Sequence, residues 1–104
     1  MITKKMQCMT IRIKKNDNYD GKRMHRVILD ILKKSNVSGA TVWTGVAGFG
    51  KRGESNLQIE GISMNMPLVI EVIEDSSKVE TILPEIKKIV GDNGLVTLHE
   101  IDVI

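Results

Sequence analysis

The sequence predicts an α+β sandwich in which a four-stranded antiparallel sheet carries two helices on one face. Three observations lead there. Hydrophobic spacing switches between period two and period 3.6 in the order strand, helix, strand, strand, helix, strand. VILDILKK (Val27–Lys34) is echoed by TILPEIKK (Thr81–Lys88), and each precedes a short glycine-containing turn and a strand with Val and Thr. The chain has 104 residues, which fits a single domain spanning 1–104. Two βαβ-like halves of that size form the split, ferredoxin-like βαββαβ arrangement.

Each element has its own signature. From Met6 to Lys14, Met9, Ile11 and Ile13 alternate with Thr10, Arg12 and Lys14, the period of a strand. KNDNYDG is turn chemistry. From Lys22 to Lys34, Met24, Val27, Ile28, Ile31 and Leu32 form one helical stripe, with Asp20 as a candidate cap and Lys33 and Lys34 suiting the last turn. The second strand lies in GATVWTGVAGFGKRGE (Gly39–Glu54), where Thr41, Val42, Trp43 and Val46 favour a pleated surface. The third runs from Met66 to Glu74, with Leu68, Ile70 and Val72 on one face and Val69 and Ile73 on the other. Ser77 and Glu80 suggest a capping box before a helix carrying Val79, Ile82, Leu83, Ile86 and Val90, which Pro84 would kink. GDNG is a stop and turn, and Leu95–Val103 alternates as the last strand.

The composition is that of an ordinary soluble domain, with 41% hydrophobic and 27% charged residues. A net charge of +2 is too small to suggest a nucleic-acid-binding face, and no nucleic-acid partner is expected. No apolar run approaches the ~20 residues of a membrane span, so no membrane insertion is expected. MITKKMQC lacks the apolar core of a signal peptide, and Cys8 is the only cysteine, so a reducing, cytoplasmic setting is expected. One Trp, one Tyr and one Phe leave the core to aliphatic residues and Met.

With both helices on one face, Cys8, Val69, Ile73, Leu95 and Thr97 fall on the other. Several are too apolar to leave in water as a patch, and the terminal IDVI is apolar as well. Self-association is the simplest cover, so an oligomer is expected.

Three stretches could hold an anion. In Gly48-Phe49-Gly50-Lys51-Arg52-Gly53 the glycines allow backbone N–H groups to converge, and Lys51 and Arg52 add charge. The same glycines would serve a plain surface turn equally well. Gly91-Asp92-Asn93-Gly94 could wrap phosphates, but a glycine also ends a helix with no ligand. Lys22, Arg23, His25 and Arg26 crowd the start of the first helix, where positive charge opposes the dipole unless an anion sits there.

GATV…G…GFG resembles the second strand and following loop of the PII signal-transduction proteins. Together with MPLVIEVIED (Met66–Asp75) and GLVTLHEI (Gly94–Ile101), it is similar to the PII-like family catalogued as domain of unknown function 190, across roughly Thr10–Val103. The resemblance implies a homotrimer with sheets facing the three-fold axis, adenine-nucleotide binding in clefts between subunits, and a long loop, about Gly48–Met66, that reports to a target. It implies that Gly39, Ala40 and Thr41 line the nucleotide cleft, that Gly48, Phe49 and Gly50 form the loop base, and that Gly91, Asp92, Asn93 and Gly94 form the phosphate turn, brought near a neighbour's Gly39–Thr41. Leu95 stands where PII has a lysine, HEIDVI lacks the PII arginines, and the modifiable loop tyrosine is absent. The residue at Gly45 is extra against the PII pattern and suggests a β-bulge or a one-residue register shift.

His25, His99, Cys8 and Asp102 show no metal-ligand spacing, so no metal is expected. Glu71 and Glu74 lie on different faces of their strand and no nucleophile-bearing turn is present, so no catalysis is expected. Ser55 reads as a plain loop hydroxyl. The expected function is non-enzymatic regulation, sensing a small anionic metabolite, with an adenine nucleotide as effector rather than a resident cofactor. The target would be a transporter or an enzyme, contacted through the 48–66 loop. The alternative is a ligand-free trimeric scaffold that binds a partner constitutively.

Overall fold

The computed structural model describes residues 1–56 and 65–104. The central sheet is built from β1 (Lys4–Lys14), β4 (Thr41–Thr44), β7 (Pro67–Glu74) and β8 (Leu95–Val103), in the order β4-β7-β1-β8 with every pair antiparallel. Helices α1 (Met24–Lys34) and α2 (Ser76–Val90) complete the βαββαβ order. Two small ribbons are added, β2 (Asn18–Tyr19) with β3 (Lys22–Arg23) and β5 (Ala47–Gly50) with β6 (Gly53–Asn56). The fold is the expected α+β sandwich.

The core follows from periodicity. Met9, Ile11 and Ile13 from β1, Leu68, Ile70 and Val72 from β7, Met24, Ile28 and Leu32 from α1, and Val79, Ile82, Ile86, Ile89 and Val90 from α2 form one buried cluster. Each fully buried aliphatic side chain contributes ~1.5–3 kcal/mol relative to exposure. Helix α2 runs unbroken through Pro84 because its buried residues continue on both sides of the proline.

Four local expectations are corrected. Helix α1 begins at Met24 rather than Lys22, since Lys22 and Arg23 pair with Tyr19 and Asn18. Asp20 does not cap it. Asp20 (φ 52) and Gly21 (φ 79) are the left-handed pair of a two-residue hairpin turn. No capping box forms on α2, because Asp75 is its N-cap, without a side-chain bond, and Ser77 already lies inside the helix. Gly45 makes no bulge. Thr41–Thr44 pairs in unbroken register with Glu71–Leu68, and the Gly45 N–H continues it by reaching the Pro67 carbonyl at 2.7 Å. There the chain leaves the sheet, with the Pro67 ring 3.2 Å from where a Gly45 Cβ would stand.

On the helix-free face, Cys8 lies between Ile73 and His99, Thr10 between Glu71 and Thr97, and Arg12 between Val69 and Leu95. Cys8 and Thr10 are buried, whereas Trp43 is 50%, Leu95 56% and Ile73 37% exposed. The helix-free face thus carries the expected apolar residues, with Trp43, Ile73 and Leu95 partly exposed, but mixes them with Arg12, Glu71 and His99.

Candidate functional site

A cleft of about 610 Å³ opens where three parts of the chain meet. Its walls are the end of β1 (Arg12–Lys14), the hairpin stretch Ala47–Arg52 and the α2–β8 turn (Asn93–Leu95), with Pro67 and Val69 of β7 behind. The hairpin turn is Lys51–Arg52, closed by Gly50 paired with Gly53, whose φ of 104 favours glycine. The expected loop base is thus a built hairpin as far as Asn56. Residues 57–64 of the 48–66 loop lie outside the described residues.

Sequence-predicted residues divide between two places. Gly48, Phe49, Gly50, Lys51, Arg52, Asn93 and Gly94 all line the cleft. Gly91 caps α2 at φ 54, its N–H bonded to the Lys87 carbonyl, and neither it nor exposed Asp92 lines the cleft. Gly39 and Ala40 line a separate hollow of about 270 Å³ beside Leu29, Leu32 and Val37. Thr41 opens β4 opposite Glu71. Within one chain, Gly39–Thr41 are therefore not part of the main cleft.

The electrostatics assign different roles to the two loop cations. The Arg52 guanidinium grips Asp17 bidentately, Nη1 to Oδ1 at 2.7 Å and Nη2 to Oδ2 at 2.9 Å, and it also donates to the Asn93 carbonyl. Asp17 further accepts the Lys14 N–H at 2.8 Å, and its carbonyl takes the Met24 N–H at 2.8 Å. Burial pushes the Asp17 carboxyl up, but the Arg52 and Lys14 hydrogen bonds and their charges outweigh it and hold the group below its ordinary value. The same hydrogen bond raises Arg52. Lys51 is exposed at the turn and forms no ion pair with a described residue.

Gly94 is required on steric grounds. A Cβ there would lie 2.1 Å from the Arg12 carbonyl oxygen and 2.8 Å from Ile13 Cγ2. The bare α-carbon lets the α2–β8 turn lie flush on β1 and brings Leu95 beside Arg12.

Other titratable groups are structural. Glu74, 5% exposed, accepts the Ser38 N–H at 2.6 Å and its hydroxyl at 2.7 Å, and these bonds hold its carboxyl low. Burial pushes the Cys8 thiol up, so it stays protonated. At the start of α1, burial lowers His25, with Arg26, Arg23 and Lys15 adding to the effect, and its buried Nδ1 has no partner among the described residues. No group of three or more metal-ligating side chains occurs among the described residues.

Sequence reading missed Arg12, Lys14 and Asp17. Arg12 and Lys14 looked like ordinary outward strand positions, and Asp17 looked like one more turn residue in KNDNYDG. The folded chain brings Arg12 and Lys14 to the cleft wall and sets Asp17 against Arg52.

In sequence and in fold the chain is similar to known proteins. The family described as uncharacterized ACR, DUF190, matches residues 6–103. A UPF0166 protein of Methanocaldococcus jannaschii is 31% identical over 96 residues, covering 92% of this chain and 89% of that protein. A UPF0166 protein of Aquifex aeolicus is 31% identical over 101 residues, covering 96% and 94%. Among solved structures, CPII, a nitrogen regulatory PII-like protein from Thiomonas intermedia K12 bound to ADP, AMP and bicarbonate, superposes with a TM-score of 0.77 at 16% identity, covering 98% of this chain and 91% of that one.

Proposed function

Since the chain belongs to the DUF190 family and has the PII-like fold, we propose that it is a non-enzymatic, cytoplasmic signalling protein that binds an adenine nucleotide in the cleft of Arg12–Lys14, Ala47–Arg52 and Asn93–Leu95. The observation that carries this reading is convergence. Two glycine-containing stretches more than forty positions apart in the sequence line one concave, cation-bearing wall. Exposed Phe49, at 88%, offers a ring against which a base could stack, and Lys51 offers charge to phosphates. CPII, with the same fold, binds ADP and AMP, which supports the choice of nucleotide.

The assembly in this proposal is a homotrimer. Its helix-free faces, on which Trp43, Ile73 and Leu95 are partly exposed, would pack together and bring the Gly39–Thr41 stretch of one copy towards the cleft of the next. Nucleotide occupancy would bias the β5–β6 hairpin between two positions, provided the ligand binds one better than the other, and the 48–66 loop would pass that state to a target transporter or enzyme. Calorimetric titration with ATP, ADP, AMP and cyclic nucleotides tests the reading. Heat from at least one, saturating at one per chain, is expected. Silence from all of them would overturn it and favour the ligand-free scaffold, a reading to which the internal pairing of Arg52 with Asp17 is also suited.

A further inference from the structure

We propose that Arg12, near the end of the inner strand β1, is the residue that grips the terminal phosphate of a nucleoside di- or triphosphate in the cleft. This rests on the nucleotide reading above and assigns its phosphate contact to a residue outside the glycine-rich stretches.

Four cations line the cleft, Arg12, Lys14, Lys51 and Arg52. Arg52 already has its counter-ion in Asp17, held by two hydrogen bonds, and Lys14 lends its charge to the same carboxylate. Pulling Arg52 onto a phosphate would strand a buried carboxylate, which is unfavourable. Lys51 sits at the tip of a two-residue turn, where holding a long side chain in one place carries an entropic penalty.

Arg12 differs on each count. It projects from a strand hydrogen-bonded on both sides, so its backbone is fixed before any ligand arrives. Its cross-strand neighbours on the helix-free face are Val69 and Leu95, both apolar, and it forms no ion pair with a described carboxylate. Sheet stabilisation gives no reason for an arginine there, because a charge in a ladder is favoured by an opposite charge across from it. Arg12 is exposed in the single chain, so its guanidinium is open to an incoming anion. The fork geometry suits two phosphate oxygens at once. Finally, the absence of a Cβ at Gly94 seats the Asn93–Gly94 turn on the Arg12 peptide itself, so guanidinium and turn share one wall.

The experiment titrates ADP, AMP and inorganic pyrophosphate into the intact protein and into Arg12→Gln, Arg12→Lys and Arg52→Gln, with Lys88→Gln on α2 as a control for net charge. Sedimentation velocity is run on each. Arg12→Gln should weaken ADP and pyrophosphate by about 10- to 100-fold, the value of hydrogen bonds to a charged group. AMP should lose under about threefold, Arg12→Lys should be intermediate for ADP, and Lys88→Gln should match the parent. If the parent binds ADP and Arg12→Gln binds it equally well, the Arg12 assignment fails and the nucleotide reading stands. A larger ADP loss in Arg52→Gln than in Arg12→Gln, or a change of sedimentation coefficient in Arg12→Gln, also overturns it. If the parent takes up neither nucleotide nor pyrophosphate, both readings fall.

Discussion

Arg52 and Asp17 meet fork to fork across 35 positions of sequence, at 2.7 and 2.9 Å, and join the tip of the β5–β6 hairpin to the turn that follows β1. The side chain of Asp17 is only 7% exposed and that of Arg52 34%, so the pair is anchored on the carboxylate side and wet on the other.

Breaking this pair should be felt in stability. Arg52→Gln leaves a buried carboxylate with one backbone donor, and we expect a loss of about 1–3 kcal/mol in urea unfolding, discounted for the exposure of the guanidinium. Lys51→Ala, one residue away, should change stability by less than about 0.5 kcal/mol. Equal losses at the two positions would show that the Asp17 contact carries no energy.

Acid should weaken the fold through two carboxylates. Asp17 and Glu74 both titrate below their ordinary values in the folded chain. Their contribution is therefore full above the unfolded values, near pH 4, and is lost as pH falls through the folded values. Glu74→Gln should lower stability at pH 7 by about 1–2 kcal/mol, and its gap from the parent should narrow below pH 4. A gap independent of pH would remove the ionised carboxylate from the account.

Gly94→Ala should destabilise by about 3 kcal/mol, because its Cβ meets a backbone oxygen that cannot step aside. On the proposed reading, affinity for a nucleotide should fall with it as the turn lifts from β1. A variant of parental stability would mean that the α2–β8 turn sits further from β1 than described.

The assembly has a direct readout in Trp43, the chain's one tryptophan, half exposed on the helix-free face. If copies pack there, its emission should be blue-shifted at micromolar concentration and red-shifted on dilution. Ile73→Lys, on the same face, should give a single chain in the ultracentrifuge. Unchanged sedimentation of Ile73→Lys would place the contact elsewhere.

The fold was legible because its elements are strongly periodic. The last strand, Leu95–Val103, was readable in its bounds, and the apolar side of β1 residue by residue, since alternation in a half-buried strand has one interpretation. Helix starts were less legible. Asp20 and Ser77 are good capping residues, but the hairpin turn used Asp20's tolerance of positive φ, and Asp75 preceded Ser77. The two glycine-rich stretches of the cleft could be named from sequence. The roles of their charges could not, because the partner of Arg52 is 35 residues away and nothing in KNDNYDG marks Asp17 as that partner.

β1 divides its labour residue by residue. Met9, Ile11 and Ile13 point into the buried cluster, while Cys8, Thr10 and Arg12 point to the opposite side. A substitution scan down this one strand should therefore alternate in what it disturbs, odd positions the core beneath the helices and even positions the helix-free face, where Cys8 and Thr10 are buried and Arg12 is exposed. Six neighbouring codons thus serve two opposite surfaces of one sheet.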